Sequence, residues 1–245
     1  MTGCGGDKPG NGSDTAGGGA VRGSITVFAA ASLTESFTAI GRQFEAANPG
    51  TKVTFNFTGS SALATQINEG APADVFAAAS PKNMAVVIDA GNGAGTPTTF
   101  VRNQLVIAVA KGNPKSITGL AGLTTPGLKV ALCADAVPCG AAARTAIDTA
   151  GVKVTPVTLE QDVKAAMSKV KLGEVDAALV YRTDARAAAS DVDAVEFPES
   201  AKAVNDYPIV ALKDARNAAG AQAFIAYVLS PDGTRLLTGA GFQAP

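Results

Sequence analysis

Short apolar runs alternate with amphipathic segments along most of this chain. Five runs are apolar on both faces, and a sixth alternates strictly, so all six predict β-strands. Further short strands are expected near residues 154–159, 194–197 and 207–211. Apolar residues at helical spacing predict helices between the strands. The six clearest strands are 25–31, 53–57, 74–79, 104–110, 128–132 and 176–181. The predicted helices are 32–47, 61–68, 82–90, 138–150, 163–170, 215–229 and 231–237.

This alternation of strands and helices predicts an α/β fold whose sheets are mostly parallel. Two sheets are more plausible than one sheet of about ten strands. The glycines at 91–95 follow a helix and not a strand, so they predict a loop and do not support a dinucleotide-binding fingerprint.

At four places a strand or turn passes directly into a helix at a small or polar residue. Ser32 follows the first strand, and Glu35 lies at the spacing of a capping box. Ser60 and Cys139 lie in the second and third starts, and Val163 follows Asp162, which we expect to cap the fourth helix. A helix N-terminus presents unpaired N–H groups and favours anions. One such start is an ordinary capped helix, but four together indicate an oxyanion-binding cleft.

The composition excludes several classes of function. The chain of 245 residues contains no histidine, which removes Ser-His-Asp and Cys-His mechanisms and the commonest metal ligand. A net charge of −1 and the absence of tryptophan disfavour nucleic-acid binding. No C-x-x-C pair occurs, so a zinc or thioredoxin-like site is not expected. No run of eighteen apolar residues predicts a membrane span.

Residues 1–22 are rich in glycine and small polar residues, which predicts a flexible tether. Cys4 in the sequence Gly3-Cys4-Gly5 resembles the acylated first residue of a mature bacterial lipoprotein. The alternative is a stray cysteine in a disordered tail. The lipoprotein interpretation implies an extracytoplasmic protein that is held at the cell membrane by a lipid anchor alone.

Six segments of the chain resemble the molybdate-binding proteins of ABC transporters. They lie in order between residues 23 and 242 and include Ala31-Ser32-Leu33, Gly59-Ser60-Ser61 and Leu179-Val180-Tyr181. The complete set is 27–34, 59–67, 70–76, 137–140, 179–181 and the C-terminal 230–242.

The resemblance implies a two-lobed, type II periplasmic-binding-protein fold with two hinge crossovers. Lobe one is expected at 23–100 plus 205–245, and lobe two at 101–204. The resemblance also implies that molybdate or tungstate binds between the lobes without a direct metal–protein bond or any cofactor, and that a membrane permease receives it. A monomer is expected. The implied ligand-binding residues are Ser32, Ser60, Cys139, Val163 and Tyr181.

Some interpretations remain open. Sulfate, or another tetrahedral oxyanion, suits a shell of neutral donors equally well. An enzyme with Ser32 or Ser60 as nucleophile lacks a base, and a regulator's sensing domain does not explain the tethered cysteine.

Cys133 and Cys139 are six residues apart, so in an oxidising compartment they are expected to form a disulfide. This disulfide would stiffen the anion loop, the turn around Cys139 that is expected to bind the anion from lobe two. The alternative is two buried thiols.

Two acidic residues, Asp135 and Asp162, lie close to the predicted anion site in the sequence. A carboxylate buried beside a dianion would repel it. We therefore expect both side chains to cap helices and to face solvent.

Overall fold

The computed structural model describes Met1 and residues 21–245. Cys4 and most of the predicted tether lie outside the described residues. Strands and helices alternate along the described chain, as the apolar pattern predicts. The strands are β1 Gly23–Ala30, β2 Thr51–Thr58, β3 Val75–Ala77, β4 Gly93–Asn103, β5 Leu105–Ala110, β6 Val130–Cys133, β7 Thr158–Glu160, β8 Ala177–Tyr181, β9 Val192–Val195 and β10 Asn205–Leu212.

The helices lie between these strands and after the last one. Short 3₁₀ helices add Ala31–Leu33, Leu120–Thr124 and Pro198–Lys202. The α-helices are α1 Thr34–Ala47, α2 Ser60–Asn68, α3 Pro81–Asp89, α4 Pro138–Ala150, α5 Val163–Lys171, α6 Arg182–Ala187, α7 Ala218–Leu229 and α8 Pro231–Ala240. None of these helices is long and apolar enough to cross a membrane.

The strands form two five-stranded sheets. The first has the order β2-β1-β3-β10-β4, and the second has the order β7-β6-β8-β5-β9. In the first sheet β10 runs antiparallel to both of its neighbours, and β5 does the same in the second. Each sheet is therefore mixed, with four strands in one direction and one reversed. This two-sheet α/β architecture is the predicted fold class.

Each reversed strand directly follows a passage of the chain from one sheet to the other. The chain leaves β4 at Asn103 and enters β5 at Leu105, and it returns from β9 to β10 through the segment 196–204. Asn103 and Asn205 are also register partners at the same end of the first sheet. The two crossovers are therefore adjacent, which is the geometry of a hinge.

The predicted loop at residues 91–95 is partly wrong. Gly93 and Ala94 begin β4, where they pair with Leu212 and Ala211 of β10. Glycines have no side chains whose pattern could predict a strand. Antiparallel pairing with the long β10 supplies the backbone hydrogen bonds that define this one. The strand expected at 154–159 is likewise limited to β7.

Helices cover the sheets with apolar faces. Phe37 and Phe44 of α1 pack against Phe224 of α7, with ring centroids 6.0 and 5.5 Å apart. On the opposite face of the first sheet, Leu63 of α2 and Met84 of α3 cover Phe76 of β3. The central strands are therefore buried on both faces, which explains their continuous apolar runs. The packing fixes the strand ends from which the candidate site is built.

Candidate functional site

The two sheets direct the ends of several strands toward one small cavity. The first sheet contributes the ends of β1 and β2 and the segment after β3, and the second contributes the segments that follow β6 and β7 and the end of β8. The cavity is small, about 10 Å³, so it suits a compact ligand and not a nucleotide or sugar. Its lining residues are Ala30, Ala31, Ser32, Gly59, Ser60, Ala79, Val137, Pro138, Cys139, Asp162, Val163 and Tyr181.

All five residues named by the resemblance lie in this lining and are buried. Ser32 and Ser60 come from the first sheet's side, and the other three come from the second sheet's side. No lysine or arginine lies among the described lining residues. The residues that the resemblance implies are thus brought together, although they are spread over 150 positions of the chain. The five are Ser32, Ser60, Cys139, Val163 and Tyr181.

Three helix starts at the cavity lack the side-chain caps found elsewhere. Ser80, Asn217 and Ser230 cap α3, α7 and α8 by accepting a hydrogen bond from a first-turn N–H. The residues before the 3₁₀ helix at 31–33, before α2 and before α4 accept no such bond with their side chains. The first N–H groups of a helix have no partner within the helix. These three starts therefore leave backbone donors for a ligand.

Ser60 is held as a donor toward the cavity. Its Oγ accepts a hydrogen bond of 2.9 Å from the backbone N–H of Ala79, which follows β3. A hydroxyl has one proton to donate, and this bond does not use it. The Ser60 proton is therefore free for an acceptor in the cavity.

Ser32 is tied to a buried tyrosine and not to its own helix. Its Oγ lies 2.9 Å from the hydroxyl of Tyr207 on β10. Asn103 Nδ2 lies 3.5 Å from the same hydroxyl, and its stronger bond, of 2.8 Å, goes to Thr183 Oγ1. The predicted capping box is wrong, because Leu33 is the N-cap of α1 and makes no side-chain cap.

Tyr181 is the third hydroxyl at the cavity. Its Oη lies 2.8 Å from Asn205 Nδ2, and its ring packs edge-on against Tyr207 with centroids 5.9 Å apart. Burial raises the pKa of Tyr181 well above its usual value. The hydroxyl therefore stays protonated and neutral at physiological pH, as a hydrogen-bond donor must be.

Asp162 lines the cavity, but its carboxylate is engaged elsewhere. Its Oδ1 accepts the N–H of Ala165 at 2.9 Å, so the predicted cap of α5 is confirmed. Asp135 is exposed as expected, but the prediction that it caps a helix is wrong. It pairs with Arg144 at 2.8 Å, while Val137 is the N-cap of α4.

A disulfide joins the end of β6 to the first turn of α4. It links Cys133 to Cys139, whose Cα atoms lie 5.7 Å apart. Gly140 lies beside it, and a Cβ at that position would overlap with the carbonyl oxygen of Ala134. The anion loop from β6 to α4 is therefore tightly folded, and Cys139 lines the cavity.

Direct contacts cross from one sheet's side to the other around the cavity. Lys164 Nζ of α5 lies 2.7 Å from Glu35 Oε1 of α1 and 3.0 Å from Asp184 Oδ1 of α6. Gly59 packs so closely on Gln161 that a Cβ would overlap with the Gln161 carbonyl oxygen. The cavity is consequently closed on this side by both halves of the molecule.

Sequence reasoning missed the buried residues behind the cavity. Asn205 and Tyr207 open an apolar strand, where an asparagine resembles an ordinary turn residue and a tyrosine resembles core. Asp184 and Lys164 follow helix starts and look like solvent-facing charges. Only Asn205 carries a usable signal, since it begins a buried strand at a predicted lobe boundary.

Comparison with known proteins agrees with this geometry. The family model for bacterial extracellular solute-binding proteins matches residues 25–243. The molybdate-binding protein ModA of Mycobacterium bovis is 49% identical over 222 residues, which cover 91% of this chain and 85% of that protein.

Two solved structures share the fold. The periplasmic molybdate-binding protein of Azotobacter vinelandii has a TM-score of 0.78 at 20% identity, over 90% of this chain and 99% of that chain. The sulfate-binding protein SubI of Mycobacterium tuberculosis has a TM-score of 0.76 at 19% identity, over 90% of this chain and 86% of that chain. On the family model and the identity to ModA, this chain belongs to the bacterial extracellular solute-binding proteins, in the ModA family.

Proposed function

We propose that this protein captures molybdate or tungstate in the cavity and delivers it to the membrane permease of an ABC transporter. The observation that carries this proposal is the character of the cavity lining. Three buried hydroxyls, of Ser32, Ser60 and Tyr181, face the same space as three helix starts without side-chain caps. Such a lining offers donors to an anion from several directions.

The chemistry of the donors favours a fully deprotonated ion. Molybdate and tungstate are fully deprotonated near neutral pH and offer acceptors only. Hydrogen phosphate carries a proton that would need an acceptor, and the carboxylate among the lining residues, Asp162, is held through Oδ1 by the N–H of Ala165. An unmatched buried proton costs about 1–3 kcal/mol, which favours the unprotonated ion.

The relatives support molybdate over sulfate. A sequence identity of 49% over most of the chain joins it to a protein named for molybdate binding. The similarity to a sulfate-binding protein is confined to the fold, at 19% identity. Sulfate nevertheless remains the second candidate, because a tetrahedral oxyanion without protons suits the same donors.

The mechanism that we propose is closure of two lobes around the ligand. Lobe one comprises residues 23–100 and 205–245, and lobe two comprises residues 101–204. The adjacent crossovers after Asn103 and before Asn205 support a hinge there. A ligand that contacts both lobes stabilises the closed state through its differential affinity for that state.

The remaining parts of the proposal concern the location of the protein. A tether over residues 1–22 with an acylated Cys4 would hold a monomeric binding protein at the outer face of the cell membrane, beside its permease. The extracellular family supports the compartment. The proposal requires no cofactor and no enzymatic activity, and the histidine-free sequence offers Ser32 and Ser60 no imidazole base.

A titration of molybdate into the wild type and into the double variant Ser32→Ala/Ser60→Ala tests these ligand residues. The wild type is expected to bind with sub-micromolar affinity, on the order of −8 kcal/mol or better. The variant loses two donors to a charged ligand and should bind about tenfold more weakly or worse. Equal affinity would remove both serines from the site.

A further inference from the structure

We infer that Asn205 is a positioning residue of this site, which orients the Tyr181 hydroxyl so that its proton points into the cavity. Asn205 lies behind the cavity lining, at the first position of β10. The inference rests on the proposed oxyanion binding and goes beyond it, because it explains why the Tyr181 hydroxyl donates its proton to the ligand and does not accept a hydrogen bond from it.

The orientation of the Asn205 amide follows from its neighbours. Nδ2 lies 2.7 Å from the backbone oxygen of Ala79, and a carbonyl oxygen can only accept a hydrogen bond. Placing the amide oxygen there would set two acceptors against each other. The atom at this position is therefore the NH₂ group.

The same NH₂ group fixes the role of Tyr181. Its second close neighbour is Tyr181 Oη, at 2.8 Å, while the oxygen of Pro138 is more distant at 3.4 Å. An amide NH₂ donates and does not accept, so Tyr181 Oη is the acceptor of this bond. The tyrosine's own proton is left for another acceptor, and Tyr181 lines the cavity.

Asn205 also connects this orientation to closure. Ala79 follows β3 on the first sheet's side, whereas Tyr181 and Pro138 belong to the second sheet's side. The amide therefore bridges the two halves when they are together. In the closed arrangement the Tyr181 hydroxyl accepts a hydrogen bond from the protein and keeps its own proton to donate. The Ser60 hydroxyl does the same, since it accepts from the Ala79 N–H. The backbone of Ala79 thus supports both hydroxyls, its N–H directly at Ser60 and its carbonyl oxygen through Asn205 at Tyr181.

A double-mutant cycle tests this assignment. Molybdate binding is measured by calorimetry for the wild type, Asn205→Leu, Tyr181→Phe and the double variant. We expect each single variant to weaken binding by about tenfold. If Asn205 acts through the Tyr181 hydroxyl, its substitution in the Tyr181→Phe background should cost no more than about threefold. Fully additive losses, or an unchanged affinity of Asn205→Leu, would overturn the inference.

A charged variant gives a second readout that loss of packing does not mimic. In Asn205→Asp an ionised carboxylate would accept the Tyr181 proton and turn it away from the ligand. The ratio of wild-type to variant affinity for molybdate should therefore rise by at least about threefold between pH 5.5 and pH 8, as the carboxyl ionises, and it should rise less in the Tyr181→Phe background, where only charge repulsion acts. A ratio independent of pH would contradict the inference, and this variant serves if Asn205→Leu does not fold.

Asn56→Leu is the matched control. Its amide donates to Gln66 Oε1 at 2.9 Å on the first sheet's side, away from the cavity lining. It should leave molybdate affinity unchanged. A wild type that binds no oxyanion would refute the proposed function and this inference together. A wild type that binds molybdate while the Asn205 and Tyr181 losses are additive would refute the inference alone.

Discussion

Lys164 on α5 reaches across the molecule to Glu35 on α1, with Nζ 2.7 Å from Oε1 and 2.8 Å from Oε2. The two residues are 129 positions apart and belong to opposite sides of the cavity. Burial disfavours the Lys164 cation, but its ion pairs with Asp184 and Glu35 outweigh this effect and raise its pKa. Lys164 is therefore charged in the closed arrangement and links the two halves.

Glu35→Gln should weaken ligand binding slightly and in a salt-dependent way. The Glu35 side chain is 54% exposed, and such pairs contribute about 0.2–1 kcal/mol. We expect a loss of at most about fivefold in affinity at low salt, with the difference from wild type fading near 1 M salt. Titrations at both salt concentrations measure it. Glu196→Gln is the control and should leave affinity unchanged, since Glu196 pairs with Arg182 on the second sheet's side alone. A large loss of affinity for Glu35→Gln that does not depend on salt would contradict the bridging role.

Gly59→Ala should hinder closure without harming the fold. Gly59 has φ of −59°, which alanine adopts readily, but its Cβ would overlap with the Gln161 carbonyl across the cavity. We expect molybdate affinity to fall by about tenfold or more while the thermal midpoint changes little. Gly239→Ala, in α8, should leave affinity unchanged, because the added Cβ would meet no atom of another segment within 4 Å. Wild-type affinity in Gly59→Ala would show that the two halves need not approach this closely.

The cavity illustrates which parts of a site a sequence can predict. Ser32, Ser60 and Val163 follow strands and open helices, so local patterns are enough to mark them. The bonds that orient them are not local: Ser32 bonds Tyr207, which is 175 positions away. The side chains of Ser32 and Glu35 bond Tyr207 and Lys164 instead of the backbone N–H groups of their own helix. The Ser32–Glu35 spacing therefore predicted a capping box that does not form. Tertiary partners of this kind leave no spacing in the sequence.

The reversed direction of one strand in each sheet could not be predicted from the sequence either. The apolar runs of β5 and β10 look like those of the parallel strands because all are buried on both faces. Their reversed direction follows from the two crossovers, and no residue pattern within the strands encodes it.

The Cys133–Cys139 disulfide should contribute stability and only a little affinity. Reduction should raise the protein's mass by two hydrogen atoms, and an unchanged mass would contradict the bond. The variant Cys133→Ala/Cys139→Ala should lose about 2 kcal/mol of unfolding free energy, the chain-entropy value for so short a loop. Its molybdate affinity should stay within about fivefold, because position 139 would contribute a backbone N–H that alanine retains. A greater loss would mean that the disulfide itself shapes the anion loop.

Asp184 should make stability fall as pH rises through the mildly acidic range. Burial raises the pKa of Asp184 to about 6 against the opposing effect of Lys164, whereas the unfolded chain has a pKa of about 3.9. The folded state thus holds more protons between these values, and this residue's contribution to unfolding free energy decreases by about 2 kcal/mol from pH 4 to pH 7. Urea unfolding of wild type and Asp184→Asn over this range measures the difference, which isolates Asp184. A difference that is constant or rises with pH would contradict the sign.

The most direct test of the account is calorimetry of the purified protein against molybdate, tungstate, sulfate and hydrogen phosphate. A lining rich in neutral donors predicts sub-micromolar binding of molybdate or tungstate, on the order of −8 kcal/mol or better, and binding of hydrogen phosphate that is at least about tenfold weaker. Sub-micromolar binding of sulfate, with no heat of binding for molybdate, would identify the protein as a sulfate-binding protein. Tight binding of hydrogen phosphate would contradict the donor-only cavity itself.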